Sequence, residues 1–319
     1  MIITTKDLPV LRALLDYYGM PYINLGRKGR SFPEKVLRQL VFTLKIWKIA
    51  IKNKVDLGIG ISLSIPQAAK FCKMKSILLD DDDKAITPLF YHFAHRFSDY
   101  ILSPDCLAFQ QGGKRYIYYS GYHELAYLHP DVFIPDREVL LKLSINSEEP
   151  YFILRFTSFG AYHDKNQTGL SLDQKLRLIE KLKKYGKVFI TGEKQPEPEI
   201  KPYLVHIHPA EMHSFMAFAT LFLGDSQTMT SEAAVLGVPS VKCNTFAGIL
   251  AIPNELENKY GLCYSFLPRD FSKMLLKIDE LLTMPNLKTE WQNKRNKMLA
   301  EKINVADYFT SFYENFEKP

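Results

Sequence analysis

Cysteine is scarce in this 319-residue sequence, and long apolar runs are absent. The four cysteines, at positions 72, 106, 243 and 263, form no C-x-x-C pair, which argues against a zinc site and against a disulfide framework. No stretch of about 18 apolar residues is present, so the sequence predicts no transmembrane helix. The N-terminus also lacks the basic start, apolar run and cleavage site of a signal peptide. These absences favour a protein of the reducing cytoplasm.

Positive charge is concentrated near the N-terminus. Residues 1–54 hold 11 Lys/Arg and 3 Asp/Glu, whereas the whole chain carries +6. No recognised nucleic-acid motif accompanies this charge, so no nucleic-acid partner is expected. Residues 33–54 have the pattern of a basic amphipathic helix, which could lie on the inner face of an anionic membrane. A core-packed helix with a basic outer face is the other interpretation.

Short apolar runs alternate with helical patterns along most of the chain. The first half predicts strands at Ile2–Thr5, Tyr22–Leu25, Val55–Ile59, Ser76–Leu79, Tyr100–Ser103 and Arg115–Tyr119. The second half predicts strands at Tyr151–Phe156, Lys187–Thr191, Leu204–Ile207, Leu221–Gly224 and Ser240–Cys243. Helices are predicted at 8–18, 33–53, 65–72, 86–97, 172–185, 209–219, 228–236, 269–283, 287–301 and 304–317. Strands separated by helices predict an α/β protein with two doubly wound, Rossmann-like domains facing a cleft.

A proline-containing stretch marks the predicted boundary between the domains. Pro130 and Pro135 favour extended backbone, and the seam is placed at residues 136–149. We expect an N-terminal domain over 1–140 and a C-terminal domain over 141–303. The last helix, 304–319, is expected to return to the N-terminal domain.

The segment 221–243 is the most informative part of the sequence. An apolar strand ends at Gly224 and Asp225, and a helix follows and stops at Gly237. This places a helix N-terminus at the carboxyl edge of a parallel sheet, where open α/β folds bind ligands and where free N–H groups attract phosphate. Glu232 would lie about one turn inside this helix, where a carboxylate can accept both hydroxyls of a ribose. The alternative is that Glu232 only interacts with the helix dipole.

The motif G-D-S-x-T-M-x-x-E-A-A-x-L-G-x-P-S resembles the family called domain of unknown function 354. The resemblance extends to the segment 121–130, to the segment 155–164 and to Tyr260-Gly261-Leu262. Members of that family resemble the GT-B glycosyltransferases and the non-hydrolysing UDP-N-acetylglucosamine 2-epimerases. The resemblance implies a GT-B-like fold and a UDP-sugar substrate, with no metal and no further cofactor. It also implies that residues 1–140 form the acceptor-side domain, that residues 141–303 form the nucleotide-sugar-binding domain, and that Glu232 binds the donor ribose.

Further nucleotide-binding candidates surround this motif. The resemblance implies that Ser226, Gln227 and Thr228 lie near the diphosphate. Arg155, near the end of the first strand of the second domain, and Ser158, in the loop that follows, are further candidate contacts of the nucleotide sugar. Arg155 could meet a phosphate bidentately or form a structural salt bridge.

Three residues are catalytic candidates. His163, beside Asp164, could titrate near neutrality or only fix a loop. His123 and Glu124 could supply a general base or form a hinge contact between the domains.

Asp80–Asp83 follow a predicted strand. Four neighbouring carboxylates could raise one another's pKa or bind a hard cation, whereas a solvated acidic loop is the common alternative. We expect no metal here, because the resemblance is to metal-independent enzymes.

The N-terminus departs from the family pattern. The sequence begins with a segment that resembles the second strand of the family pattern. The first βα unit of that pattern, about 25–30 residues, is therefore expected to be missing. Such a loss could leave a strand of the first sheet without its neighbour and remove a catalytic base.

Three functions remain open. The first is a nucleotide-sugar glycosyltransferase of surface polysaccharide or glycolipid synthesis, with a glycan or lipid-linked acceptor. The second is an enzyme resembling the UDP-N-acetylglucosamine 2-epimerases, and the third is a non-catalytic nucleotide-sugar-binding protein.

Overall fold

The computed structural model describes residues 1–110, 112–146, 148–156, 169–192 and 197–316. The chain forms two compact units. Unit 1 comprises Met1–Ser120, His208–Ala210 and Phe312–Pro319, and unit 2 comprises Gly121–Ile207 and Glu211–Ser311.

Unit 1 contains six described strands with helices between them. In chain order the elements are β1 (Ile3–Thr5), α1 (Pro9–Tyr17), β2 (Tyr22–Asn24), α2 (Phe32–Lys52), β3 (Leu57–Gly60), α3 (Ser64–Ala69), β4 (Lys75–Leu79), α4 (Pro88–Phe90), β5 (Tyr100–Pro104) and β6 (Tyr116–Tyr119). All described pairs are parallel. They form two sheets, β1-β2 and β3-β4-β5-β6, and not the single sheet of a complete doubly wound domain.

The long helix α2 has two apolar faces. Ser31 caps its first turn by accepting the Glu34 N–H at 3.4 Å. One face packs Phe42, Ile46 and Ala50 into a core cluster with Leu25 and with residues of α3. The other face leaves large side chains exposed at four-residue spacing: Phe32, Val36, Leu40 and Leu44. The helix is therefore core-packed, as one of the two interpretations predicted, and it also presents an uncovered apolar stripe.

Unit 2 is built around one five-stranded parallel sheet in the order β11-β10-β9-β7-β8. Its elements begin with α5 (Leu125–Leu128), α6 (Glu138–Lys142), β7 (Tyr151–Phe156), α7 (Leu172–Leu182), β8 (Lys187–Gly192), α8 (Met212–Ala217) and β9 (Leu221–Gly224). They continue with α9 (Gln227–Val235), β10 (Ser240–Cys243), α10 (Ala251–Asn258), β11 (Cys263–Phe266), α11 (Phe271–Thr283), α12 (Leu287–Glu301) and α13 (Val305–Glu314). The central strands β7, β9 and β10 are almost wholly buried.

Three sequence predictions differ from the structure. The predicted strand Leu204–Ile207 forms only one β-bridge, between Ile190 and Leu204. A 3₁₀ helix over Pro198–Tyr203 directly precedes this bridge. The predicted helix 86–97 is short and continues as a π-helical turn, Tyr91–His95. The sequence pattern also did not predict α10 and β11.

The boundary between the units falls at Ser120–Gly121, before the predicted seam at 136–149. The reason is that α5 and α6 pack within unit 2, and the Asp136 N–H donates to Ser214 of α8 at 3.0 Å. The last helix is divided, with Ser311 in unit 2 and Phe312 in unit 1. Among the described residues, no helix is both long enough and apolar enough to cross a membrane.

Candidate functional site

The turn from β9 into α9 requires glycine at position 224. Gly224 has φ of +153°, and a Cβ there would lie 2.0 Å from the Arg155 carbonyl oxygen. That carbonyl also accepts the Asp225 N–H at 3.1 Å, which ties β7 to the turn. The close approach of two backbones therefore fixes where α9 begins.

Helix α9 begins with a cap and an open first turn. Ser226 is the N-cap residue, and its hydroxyl accepts the Met229 N–H at 3.4 Å. Thr228 is exposed and Gln227 is half-buried. The first N–H groups of a helix have no partner within the helix, so this end can bind an anion. Ser226, Gln227 and Thr228 thus lie at one helix end, as the sequence predicted.

The opposite end of α9 is capped by side chains of α12. Gly237, with φ of +76°, ends the helix. Arg295 donates to the Val235 carbonyl at 2.8 Å, and Gln292 donates to the Gly237 carbonyl at 3.2 Å. A cation at a helix C-terminus complements the dipole and stabilises the orientation of the helix.

Lys242 is a site residue that the sequence pattern did not reveal. It is fully buried on β10, and burial lowers its pKa to about 8. Its Nζ donates to Gln227 Oε1, while Gln227 Nε2 donates to Asn244 Oδ1 at 3.2 Å. Asn244 in turn donates to the Asp225 carbonyl at 2.7 Å. A buried polar network with one positive charge thus supports the first turn of α9.

Two basic residues flank Gly224 across the sheet. Arg155 on β7 and Lys242 on β10 are both paired in register with Gly224 on β9. Side chains in register on neighbouring parallel strands point to the same face. The carboxyl edge of the sheet therefore carries one cationic residue on each side of the turn into α9.

Glu232 lies well beyond the first turn of α9. Counting from the N-cap Ser226 it is the sixth helical residue, so it neither caps the helix nor belongs to the turn where the dipole acts most strongly. Its residue exposure is 8%. Tyr127 of α5 donates its hydroxyl to Glu232 Oε1 at 3.0 Å, and His213 Nε2 of α8 lies 3.1 Å from the same oxygen.

The two donors hold the Glu232 carboxylate in place. The Tyr127 and His213 rings lie 5.4 Å apart, and Phe133 meets the His213 ring edge-on at 6.1 Å. Both donors contact Oε1, so among the described residues the acceptor positions of Oε2 remain for another donor. Tyr127 and His213 were missed from sequence, since only the fold brings them to Glu232.

His123 and Glu124 lie a few positions before Tyr127, the residue that donates a hydrogen bond to Glu232. Glu124 is buried at the start of α5, and the ring of half-buried His123 lies 6.2 Å from Phe309. The segment 121–130 therefore reaches Glu232 through Tyr127. The predicted residues Ser158 and His163, with Asp164, lie outside the described residues.

The acidic segment Asp80–Asp83 belongs to unit 1. Asp80 and Asp83 are buried, whereas Asp82 is exposed. Desolvation of the Asp82 carboxyl raises its pKa to about 7, and the negative charges of Asp81, Asp80 and Asp83 contribute to this rise. Exposure to water weakens such an effect. Asp80 Oδ2 lies 2.7 Å from Nε2 of His95.

Comparison with solved structures shows a common fold over nearly the whole chain. A UDP-N-acetylglucosamine 2-epimerase of Neisseria meningitidis, bound to UDP-N-acetylglucosamine, matches 98% of this chain and 91% of its own, with 14% identity and a TM-score of 0.63. The epimerase of Methanocaldococcus jannaschii, in complex with UDP-N-acetylglucosamine and UDP, matches 95% and 88%, with 14% identity and a TM-score of 0.62.

A glycosyltransferase shares the same fold. The spinosyn forosaminyltransferase matches 98% of this chain and 90% of its own, with 13% identity and a TM-score of 0.61. At these identities the likeness shows the α/β fold of GT-B glycosyltransferases and 2-epimerases, as the sequence predicted.

Sequence comparison gives the family. An uncharacterised protein of Methanocaldococcus jannaschii is 22% identical over 253 residues, which cover 76% of this chain and 73% of that protein. The family model described as "Protein of unknown function (DUF354)" matches residues 1–254. The chain therefore belongs to this family.

Proposed function

We propose that unit 2 binds a nucleotide sugar, with Glu232 at the ribose and the N-terminus of α9 at the diphosphate. The observation that carries this proposal is the buried Glu232 carboxylate, which Tyr127 and His213 hold through one oxygen. A carboxylate that served only to stabilise the helix would lie in its first turn, and Glu232 does not. A held and desolvated carboxylate is suited to accept the hydroxyls of a ribose.

The diphosphate has a separate set of donors in this proposal. The exposed first turn at Thr228 offers backbone N–H groups, and Arg155 and Lys242 flank the turn. Lys242 acts through Gln227, since its Nζ contacts the Gln227 amide and is itself buried. The spacing along one helix, from Thr228 to Glu232, is about 6 Å at 1.5 Å per residue.

The reaction we propose is glycosyl transfer from a UDP-sugar, which needs no metal or further cofactor. The helix N-terminus would stabilise the departing diphosphate as its charge develops. The acceptor is proposed to be a glycan or a lipid-linked sugar. His123, Glu124 and His163 are the proposed acid–base groups, and Ser158 is a proposed contact of the donor.

The second candidate is epimerisation of the donor at C2. The observation that favours it is the fold shared with two 2-epimerases whose structures contain UDP-N-acetylglucosamine. The two reactions differ in a measurable way. Transfer consumes donor only when an acceptor is present, whereas C2 epimerisation would introduce deuterium from heavy water into donor alone. Binding without either reaction would support the third alternative, a non-catalytic binder.

The test is thermal unfolding of the wild-type protein and of Glu232→Gln with UDP, UDP-N-acetylglucosamine, and GDP- and dTDP-sugars. A ligand that binds only the folded protein raises the melting temperature by mass action. We expect a shift with UDP and UDP-sugars in the wild type. We expect Glu232→Gln to bind at least about 10-fold more weakly, since it loses a charge-assisted acceptor.

The matched control is Glu180→Gln, an exposed carboxylate of the same unit. It should bind UDP as the wild type does. Equal affinity in wild type and Glu232→Gln would remove Glu232 from the site. No shift with any nucleotide would reject the proposed function.

A further inference from the structure

A cavity lies in unit 1, and it shares no residue with the site around Glu232. It has a volume of about 330 Å³ and opens beside Ile101 of β5 and Tyr116 of β6. This volume is at the lower end of the range for small-molecule sites. It is larger than a bare inorganic anion needs.

The lining of this cavity is basic. His92, Arg96, Lys114 and Arg115 line it, and none of the lining residues that the structure describes is acidic. Arg96 and Lys114 are exposed and, across the described part of the chain, pair with no carboxylate. Arg115 is held by its Nη1, which donates to the Arg96 carbonyl at 2.9 Å. The cavity therefore favours an anionic ligand.

The loop beside these cations is made of glycine. Gly113 has φ of +125°, and no heavy atom lies within 4 Å of the place where its Cβ would be. The same space is open at Gly112. The Tyr116 N–H donates to the Gly113 carbonyl at 3.1 Å and closes the turn. A loop without side chains lets a ligand approach the backbone, as phosphate-binding loops do.

A chain of buried polar groups ends at the cavity. Asp80 Oδ2 lies 2.7 Å from Nε2 of His95, and both side chains are about 95% buried. His95 Nδ1 lies 3.0 Å from the Tyr116 hydroxyl, and the Tyr116 and Tyr91 hydroxyls lie 3.3 Å apart. Because Nε2 faces the Asp80 carboxylate, the ring proton of His95 belongs on Nε2, and Nδ1 then accepts from the Tyr116 hydroxyl.

Tyr91 ends this chain of polar groups, and its side chain lines the cavity. Lys84 Nζ lies 4.3 Å from the centre of the Tyr91 ring and adds positive charge there. Burial raises the pKa of Tyr116, so this phenol stays protonated as a donor to His95. The chain from Asp80 to Tyr91 thus holds the Tyr91 ring in the wall of the cavity.

The backbone under these groups has an unusual conformation. Tyr91–His95 form a π-helical turn, a rare element that is frequent at functional sites. Ala94 of this turn packs with Leu78 and Ile101 in a buried cluster. The cavity is therefore built on the sheet β3-β4-β5-β6 and not on a surface loop alone.

We propose that this cavity binds the phosphoryl group of a small phosphate monoester, such as a sugar phosphate. Arg96 and Lys114 neutralise the phosphoryl oxygens, and the Gly112-Gly113 backbone lies against them. The remaining cavity volume holds the esterified group.

The experiment is isothermal titration calorimetry of the full chain with α-D-glucose 1-phosphate, inorganic phosphate and glucose. We expect glucose 1-phosphate to bind more tightly than inorganic phosphate, and glucose to show no heat of binding. Arg96→Ala/Lys114→Ala should bind glucose 1-phosphate at least about 10-fold more weakly, because it loses two charge-assisted contacts.

Two control variants show whether binding depends on this cavity or only on the net charge of the protein. Lys48→Ala/Lys52→Ala removes the same charge from exposed positions of α2 in the same unit, and should bind like the wild type. Glu232→Gln should also bind glucose 1-phosphate normally, so a failure of the nucleotide site leaves this test intact. The proposal is overturned if the wild type binds neither phosphate compound. It is equally overturned if Arg96→Ala/Lys114→Ala, with an unchanged melting temperature, binds as tightly as the Lys48→Ala/Lys52→Ala control.

Discussion

The two units differ in how completely they bury their apolar side chains and join their strands into one sheet. Unit 2 places its five described strands in one sheet, and from Thr230 to Val235 every residue of α9 is buried. Unit 1 divides its strands between two sheets, and most of the exposed large apolar side chains of the protein belong to this smaller unit. A parallel sheet is normally covered on both faces and continuous through its centre.

The difference shows why the Glu232 site can be built with little side-chain freedom. Helix α9 is held at its start by Gly224, at its end by Arg295, and at Glu232 by Tyr127 and His213. Precise placement of a binding carboxylate needs such support from neighbouring residues. In unit 1, α2 packs one apolar face and exposes another, so its position depends on fewer neighbours.

Gly224→Ala is expected to have the largest effect. A Cβ at this position would lie 2.0 Å from the Arg155 carbonyl oxygen, so β7 and β9 would have to separate. We expect the free energy of unfolding to fall by about 4 kcal/mol or more, with loss of UDP binding. Urea unfolding followed by circular dichroism measures the first effect.

The counterpart in unit 1 is Gly113→Ala. Gly113 also has a positive φ, but no atom lies within 4 Å of its Cβ position. Only backbone strain remains, so we expect a loss of about 1–2 kcal/mol. Equal losses at the two glycines would show that close backbone contact is not what distinguishes the turn into α9.

The two faces of α2 give the next contrast. Ile46 is 7% exposed within the core cluster, whereas Leu44, two residues earlier, is 55% exposed. Ile46→Ala should lower the free energy of unfolding by about 2–4 kcal/mol, and Leu44→Ala by less than about 0.5 kcal/mol. Chemical unfolding of both variants measures this. A large loss at Leu44 would mean that the exposed stripe is covered in solution.

The sequence predicted the elements that carry a strong local pattern. The strands β7, β9 and β10 have the predicted bounds because each is a short apolar run beside a clear turn signal. Helix α10 was missed, and it contains Pro253, a residue type that usually interrupts helices. In the structure Pro253 is the third residue of the helix, where its missing N–H costs no hydrogen bond.

The candidate site was predictable only in part. Ser226 and Glu232 belong to one local motif, and the regular geometry of a helix fixes their positions once its first residue is known. Lys242, Tyr127 and His213 come from other elements, and their contacts depend on strand register and helix packing. A lysine within a buried strand was the one available signal, because lysine is rarely buried without a partner.

Among the substitutions of buried residues, Lys242→Met is expected to change the free energy of unfolding least, and to increase it. Burial lowers the pKa of Lys242 from 10.5 to about 8. Below pH 8 the lysine is charged in both states, so the folded protein bears the full cost of a buried charge, about 3 kcal/mol. Methionine removes that cost but leaves Gln227 without its donor, so we expect a net gain of about 1 kcal/mol at pH 7.

The pH dependence separates this buried-charge effect from a simple packing effect. Between pH 8 and 10.5 the unfolded chain holds a proton on Lys242 that the folded chain has lost, so the contribution of Lys242 to stability rises with pH in that window. Burial raises the pKa of the Cys243 and Cys263 thiols to about 12, and these groups lower the stability of every variant alike above about pH 9. The advantage of Lys242→Met over the wild type should therefore shrink between pH 8 and 10.5, whereas the difference between the exposed control Lys201→Met and the wild type should stay constant. If Lys242 supports diphosphate binding, the UDP affinity of the wild type should also fall as pH passes about 8, because the bound anion favours the protonated lysine. A UDP affinity that is independent of pH there, and unchanged in Lys242→Met, would make Lys242 a residue of the fold of unit 2 and not of its ligand site.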